Sequence, residues 1–139
     1  MTRGWFFLRF VRWPLALAFL LHLAGCSKPE FERHALSGTV TFGGQPIPVG
    51  SILFEPDGTK GNRGPQGYST ILNGHYETNK YGKGAVTGPV NVQIMGFPAA
   101  ENVPEEGNKP LFPPYKTSIV IEQDSTTFDF DVPLGGPKS

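Results

Sequence analysis

Between residues 36 and 132 the chain consists of short stretches in which apolar and polar residues alternate, separated by turns rich in glycine and proline. The clearest turn is Asn73-Gly74, which stands between two of these stretches. Asn-Gly is the strongest short-range signal for a two-residue β-hairpin, because both turn positions need positive φ angles. Such a turn places Ile71 opposite Tyr76, and we expect this β-branched and aromatic pair to face the interior.

The same alternation predicts seven strands, because a period of two residues turns one face of each strand toward a core. Ile52 and Phe54 should face inward together, and so should Val90, Val92 and Ile94. Short strands separated by turns favour an all-β, antiparallel β-sandwich, and a small closed barrel is the alternative. No stretch beyond residue 26 has sustained helical periodicity, which argues against a helical fold. The predicted strands cover residues 36–42, 52–54, 68–72, 75–78, 86–94, 119–121 and 126–132.

The first 25 residues have the features of a secretory signal segment. Arg3, Arg9 and Arg12 supply positive charge, and a largely apolar run from residue 13 to residue 23 follows them. A permanent transmembrane helix is the alternative, but it needs about 20 apolar residues to cross a hydrocarbon core about 30 Å thick. The run is too short for that, so the sequence predicts export.

Leu23-Ala24-Gly25-Cys26 closes this segment, and Cys26 is the single cysteine of the chain. The tetrapeptide resembles the lipobox of bacterial lipoproteins, in which the cysteine becomes the lipid-modified first residue of the mature protein. The resemblance implies that Cys26 carries a lipid anchor that attaches the protein to the non-cytoplasmic face of an envelope membrane, outer or cytoplasmic. Two or three acyl chains, as such lipoproteins carry, hold a protein durably, whereas one chain binds only marginally.

The charge of the mature chain excludes one class of partner. All twelve acidic residues lie beyond Cys26, together with nine of the twelve Lys and Arg residues, so the mature net charge is −3. No basic patch of the kind that neutralises phosphates is present, and we predict no nucleic-acid partner. With Cys26 lipidated there is no disulfide, so one small domain must be stabilised by its core alone.

Several segments of the chain resemble carboxypeptidase regulatory-like domains. The earlier segments combine Gly-x-Val, a glycine-proline turn, and Asn-Gly before an aromatic residue. The later segments resemble short lipoproteins of planctomycete-type bacteria that carry this domain alone. The resemblance implies a transthyretin-like, or prealbumin-like, β-sandwich that acts as an accessory module; a fold does not by itself fix a function. The segments are residues 36–41, 43–47, 49–56, 73–76, 88–94, 113–115 and 128–132.

Catalysis is not predicted. A hydrolase needs a nucleophile, a base and an orienting group, or a metal, brought together. Residues 26–139 contain two histidines, His34 and His75, and no Gly-x-Ser-x-Gly nucleophile elbow. His75 directly follows the hairpin tip, where an exposed polar residue is expected, and we predict that the protein is not an enzyme and uses no cofactor.

Two aspartates near the end of the chain are candidates for a cation site. Asp129 and Asp131 are two residues apart on one face of a predicted strand, and with Asp124 or Glu122 they could offer oxygens to calcium. Outward carboxylates also protect a strand from edge pairing and keep it soluble. We favour this second role and predict no metal; no Cys or His cluster suits zinc or copper.

A long proline-rich connection, residues 97–116, is the candidate binding segment. Loops of this length without secondary structure are often functional. Its rings at Phe97, Phe112 and Tyr115 could capture a sugar or a peptide at one end of the domain. The alternative is a crossing connection that packs these aromatics over the core.

The sequence thus predicts four parts: a lipoprotein signal peptide (1–25), a lipidated tether (26–35), a carboxypeptidase regulatory-like β-sandwich (36–133) and a short tail (134–139). We expect a lipid-anchored, non-catalytic module of the bacterial cell envelope with a structural or protein-interaction role. The alternative is an envelope lipoprotein that binds a small ligand at the 97–116 loop.

Overall fold

The computed structural model of the protein describes residues 31–99 and 109–135. Within them the fold is all-β, as predicted, with one four-residue helical turn, α1 (Thr78–Tyr81), and one 3-10 turn (Gly58–Lys60). All seven predicted strands are present, and β2 and β6 are two short additions. The strands are β1 (Ser37–Phe42), β2 (Gln45–Pro46), β3 (Val49–Pro56), β4 (Gly67–Leu72), β5 (His75–Glu77), β6 (Gly82–Lys83), β7 (Gly88–Phe97), β8 (Tyr115–Ile121) and β9 (Phe130–Val132).

The strands form a curled sheet in the order β2-β1-β5-β4-β3-β7-β8, with β6 on β4 and β9 on β1. The β3–β7 ladder is the longest, running from Val49 opposite Phe97 to Pro56 opposite Val90. Pro89 lies at the second position of β7, where a residue without an N–H is tolerated because the β3 ladder ends at its neighbour Val90.

β1 changes partners halfway along its length. Its first half, Ser37 to Thr39, pairs antiparallel with β5, whereas its second half pairs with β2 and β9. The β9 partner runs parallel to β1, which departs from the antiparallel arrangement that the sequence predicts. The close approach of the segment before β9 requires Gly38, because a Cβ there would lie 1.9 Å from the carbonyl oxygen of Phe128.

One hydrophobic core lies on the concave face of the sheet. Ile52, Phe54 and Ile94 have no accessible surface, and Val90 and Val92 are 1% exposed, as their alternation predicts. Tyr76 lies at the centre, with its ring centroid 5.9 Å from that of Phe54. At about 25 cal/mol per Å² of buried apolar surface, side chains of this kind supply most of the stability of a domain without disulfides.

The hairpin has the predicted geometry. Asn73 and Gly74 adopt φ angles of 50° and 77°, and the turn pairs Ile71 with Tyr76. Both paired side chains are buried, which confirms the register and the inward face. Gly43 and Gly44, also at positive φ, make a second two-residue turn that folds β2 back onto β1.

Residues 31–35, which the sequence assigns to the tether, are joined to the domain. His34 forms a backbone bridge with Ala85, at N–O distances of 2.7 and 3.1 Å. Arg33 donates from Nη1 to the carbonyl oxygens of Gln66 and Gly84, at 2.8 and 2.6 Å. The domain therefore begins structurally before residue 36.

Candidate interaction surfaces

The three rings of the candidate binding loop do not face one cavity. Phe97 ends β7 and points to the outer face of the sheet, since the inward residues of β7 are Val90, Val92 and Ile94. Tyr115 begins β8 opposite Ile94 and packs against the core. Capture of a ligand by these three rings together therefore stays a prediction.

Phe112 is the ring that this connection contributes to the core. Its side chain is 6% exposed, and its centroid lies 4.9 Å from that of Phe42. It sits over Gly96, where a Cβ would lie 2.9 Å from the Phe112 ring. The neighbouring Leu111 is 37% exposed, so the described part of the connection places one apolar residue inside and one outside.

The outer face of the sheet carries an unexpected set of apolar side chains. An antiparallel sheet with one face on a core usually presents polar residues on the other face. Here Tyr68 is 46% exposed and Leu72 is 38% exposed, and four partly buried neighbours lie beside them. We call this set the outer apolar cluster: Val49, Leu53, Tyr68, Leu72, Met95 and Phe97.

The register makes the outer apolar cluster contiguous. Tyr68 lies opposite Leu53, and Val49 lies between Leu72 and Phe97. Met95 is two residues from Phe97 on the same face and diagonal to Leu53. Beside the cluster, a depression of about 270 Å³ between β3, β7 and β8 is lined by residues that include Leu53, Gln93 and Lys116.

The sheet also ends in an open edge next to this face. β8 is seven residues long and pairs with β7 on one side, and no other described strand pairs with it. Val120 on β8 is 59% exposed. A long edge strand is a template for a strand of another chain.

A second surface is a polar groove over β1 and β5. Thr39 lies opposite His75, and Ser37 lies opposite Glu77, so that these four side chains form the floor. The segment before β9 makes one wall, and α1 with the β4–β5 turn makes the other. The groove has a volume of about 740 Å³.

Asp129 and Asp131 act as hydrogen-bond acceptors for β1. Asp129 Oδ1 accepts from both the backbone N–H and the hydroxyl of Thr39, each at 2.7 Å. Asp131 Oδ1 accepts from the Thr41 hydroxyl at 2.5 Å and from the Gly44 N–H at 3.0 Å. These bonds lower the pKa of both carboxyls, with the threonine hydroxyl as the first cause in each case.

Other titratable candidates are placed apart. In residues 31–99 and 109–135, no three His, Cys, Asp or Glu side chains converge as metal ligands would. His34 lies in the bridge to Ala85, and His75 lies in the polar groove.

The predicted lipidation site, Cys26, and the signal segment lie outside the described residues. Among the residues that are described, no helix has the length and apolar character needed to cross a membrane. No family model, curated protein or solved structure matches this chain.

Sequence reasoning missed both surfaces for the same reason. Leu72 lies in a predicted strand and Met95 lies one residue beyond the predicted strand 86–94, and their juxtaposition depends on the β3–β4 and β3–β7 registers. The sequence nevertheless contains a signal for the cluster. A half-buried strand alternates between apolar and polar residues, whereas residues 71–72 and, apart from Gly96, residues 94–97 are apolar on both faces.

Proposed function

We propose that this chain is a lipid-anchored, non-catalytic β-sandwich module of the bacterial cell envelope that holds a protein partner against the outer face of its sheet. The observation that carries the proposal is the outer apolar cluster. Folding does not account for it, because these side chains stay outside the core and two of them are more than a third exposed.

The transthyretin-like β-sandwich is part of the proposal. A strand that leaves one ladder for another, as β1 does, is how a chain passes between two packed sheets. Tyr76 and Phe130, from opposite sides of this change, have ring centroids 6.3 Å apart across the core. The resemblance of residues 36–41 and 73–76 to carboxypeptidase regulatory-like domains supports the same architecture.

The short connection between Cys26 and the domain limits how far a lipid anchor would let the domain lie from the membrane. Cys26 is five residues from Phe31, where the described domain begins, and five residues span at most about 18 Å. With Arg33 and His34 joined to the domain, a lipid on Cys26 would hold the module close to the membrane surface. A partner would then be an envelope protein within that reach.

A protein partner suits the chemistry of the face. Interfaces are enriched in Tyr, Phe and Met at their centres and have polar rims. The outer apolar cluster contains Tyr68, Met95 and Phe97, and exposed Lys116 and Glu55 lie at its margin on β8 and β3.

The test is site-specific photo-crosslinking of the full chain in cells of its native host. A photoreactive residue at Met95 should give a defined adduct, whereas the same residue at Gln45, exposed on β2, should give none. Leu53→Lys, which places a charge in the cluster, should abolish the Met95 adduct. Cys26→Ser should release the protein from the envelope fraction, and mass measurement of the wild-type N-terminus should show acylation.

The result also identifies the occupant. An adduct at twice the mass of the chain would show that the occupant of the outer face is a second copy of this chain and not a different protein. Equal adducts from Met95 and Gln45, or none from Met95, would overturn the docking face. An unacylated, unprocessed N-terminus would overturn the anchor and leave the docking face standing.

A further inference from the structure

The polar groove over β1 and β5 holds hydrogen-bonding groups that the fold does not use. Among residues 31–99 and 109–135, the imidazole of His75, the carboxylate of Glu77 and Oδ2 of Asp129 make no hydrogen bond. By contrast, Asp131 and Asn91 bond to neighbouring threonine and serine hydroxyls. The groove therefore presents acceptors and donors to a ligand or to water.

One of these acceptors is fixed in position. The two bonds from Thr39 hold Oδ1 of Asp129 at 2.7 Å, so its carboxylate cannot rotate freely and Oδ2 keeps a defined direction. A preordered acceptor loses less conformational freedom when it binds, which favours affinity.

The wall formed by α1 supplies an aromatic surface. Tyr81 is 39% exposed beside the groove, and the ammonium of Lys80 lies 5.1 Å from its ring centroid. The neighbouring Thr78 is fully buried and its hydroxyl accepts from the N–H of Leu36 at 2.8 Å, which ties α1 to the start of β1. The ring is thus carried by an anchored turn.

We propose that this groove binds a saccharide, with Tyr81 against a C–H face of a sugar ring and with Asp129 and Glu77 accepting from its hydroxyls. Sugars combine flat apolar C–H faces with many hydroxyl donors, and carboxylate acceptors give the stronger, charge-assisted hydrogen bonds to such donors. The groove volume of about 740 Å³ lies in the range of small-ligand sites, roughly 300–1,000 Å³.

The test is titration of the full chain with cellotetraose and with chitotetraose, followed by calorimetry and by amide chemical shifts. The protein is kept in a detergent without a sugar headgroup, because a glycosidic detergent would compete for the site. We expect shifts at Thr39, His75 and Glu77 with at least one of the two sugars. Tyr81→Ala should weaken binding by about tenfold or more, as expected for loss of a stacked ring.

Tyr68→Ala is the matched control, since Tyr68 is similarly exposed but belongs to the outer apolar cluster. It should leave sugar affinity unchanged, and Glu77→Gln should weaken it without altering the unfolding midpoint. If neither sugar binds, or if Tyr68→Ala and Tyr81→Ala weaken binding equally, the proposal is overturned. Neither result bears on the docking face, which is tested by crosslinking.

Discussion

Two adjacent residues of β7 lie in opposite surroundings. Ile94 points to the core and has no accessible surface, whereas Met95 points outward and is partly buried among the outer apolar cluster. Folding explains the first, because every inward residue of β7 from Val90 to Gly96 packs on the core. It does not explain the second.

The outer face of the sheet carries hydrophobic residues that the core does not need. Thr70, Ser51 and Gln93 give the outer face the polar character that is usual for a solvated antiparallel sheet. The outer apolar cluster partly surrounds Ser51 and Thr70 and borders Gln93. A face of this kind is typical of an interaction site.

Truncating Ile94 and Met95 in turn tests most directly whether the two residues contribute differently to stability. Ile94→Ala should lower the free energy of unfolding by about 3 kcal/mol, because it removes buried methyl groups and leaves a cavity. Met95→Ala should cost less than about 1 kcal/mol, as is usual away from the core. Urea unfolding of the full chain measures both, and equal losses would show that the outer cluster is structural.

A substitution at Tyr76, in the middle of the core, should have a smaller effect on stability. Tyr76 donates its hydroxyl proton to the carbonyl oxygen of Phe128 at 2.9 Å, so Tyr76→Phe should cost about 1–2 kcal/mol by leaving that carbonyl unpaired. Phe54→Leu, which changes the packing around the same ring, is the control that keeps the hydrogen bond.

The pH dependence separates the two variants. Burial raises the pKa of Tyr76 above its ordinary value, so its contribution is complete below the unfolded pKa of about 10 and is lost as the pH rises beyond it. The difference between wild type and Tyr76→Phe should therefore shrink above about pH 10. The difference for Phe54→Leu should not shrink through this ionisation; a constant difference for Tyr76→Phe would contradict the assignment.

The local pattern was sufficient to predict that seven of the strands exist and which of their residues face inward. Asn73-Gly74 fixed a register that the structure reproduces, because a two-residue turn leaves one way to pair its flanks. Alternation also placed Ile52, Phe54 and Ile94 inside.

Pairing between distant segments was beyond that pattern. The parallel β1–β9 ladder joins residues about 90 positions apart, and nothing in either strand encodes its direction. The alternation predicts one strand over residues 126–132, but only Phe130–Val132 forms a strand. Before it, the Asp129 side chain accepts the hydrogen bond from the Thr39 N–H that a backbone carbonyl would accept in a regular ladder. The predicted outward direction of Asp129 was confirmed, while its bond to Thr39 depended on tertiary structure.

The hydrogen bond between Asp129 and Thr39 leads to the prediction with the smallest effect on stability. This effect distinguishes Asp129 from an ordinary surface aspartate. Because the hydrogen bonds from Thr39 lower its pKa, Asp129 stabilises the fold fully above the unfolded value of about 3.9, and this contribution is lost as the pH falls through the lower folded pKa. Asp129→Asn keeps an acceptor but loses the charge, so it should be slightly less stable than wild type at neutral pH, and the two unfolding midpoints should converge on acidification below about pH 4. Asp124→Asn is the control, since Asp124 makes no side-chain hydrogen bond to any described residue, and at neutral pH it should change stability less than Asp129→Asn does. Thermal unfolding from neutral to strongly acidic pH measures all three curves, and a constant separation between wild type and Asp129→Asn would show that the carboxylate charge contributes nothing to holding the segment before β9 on β1.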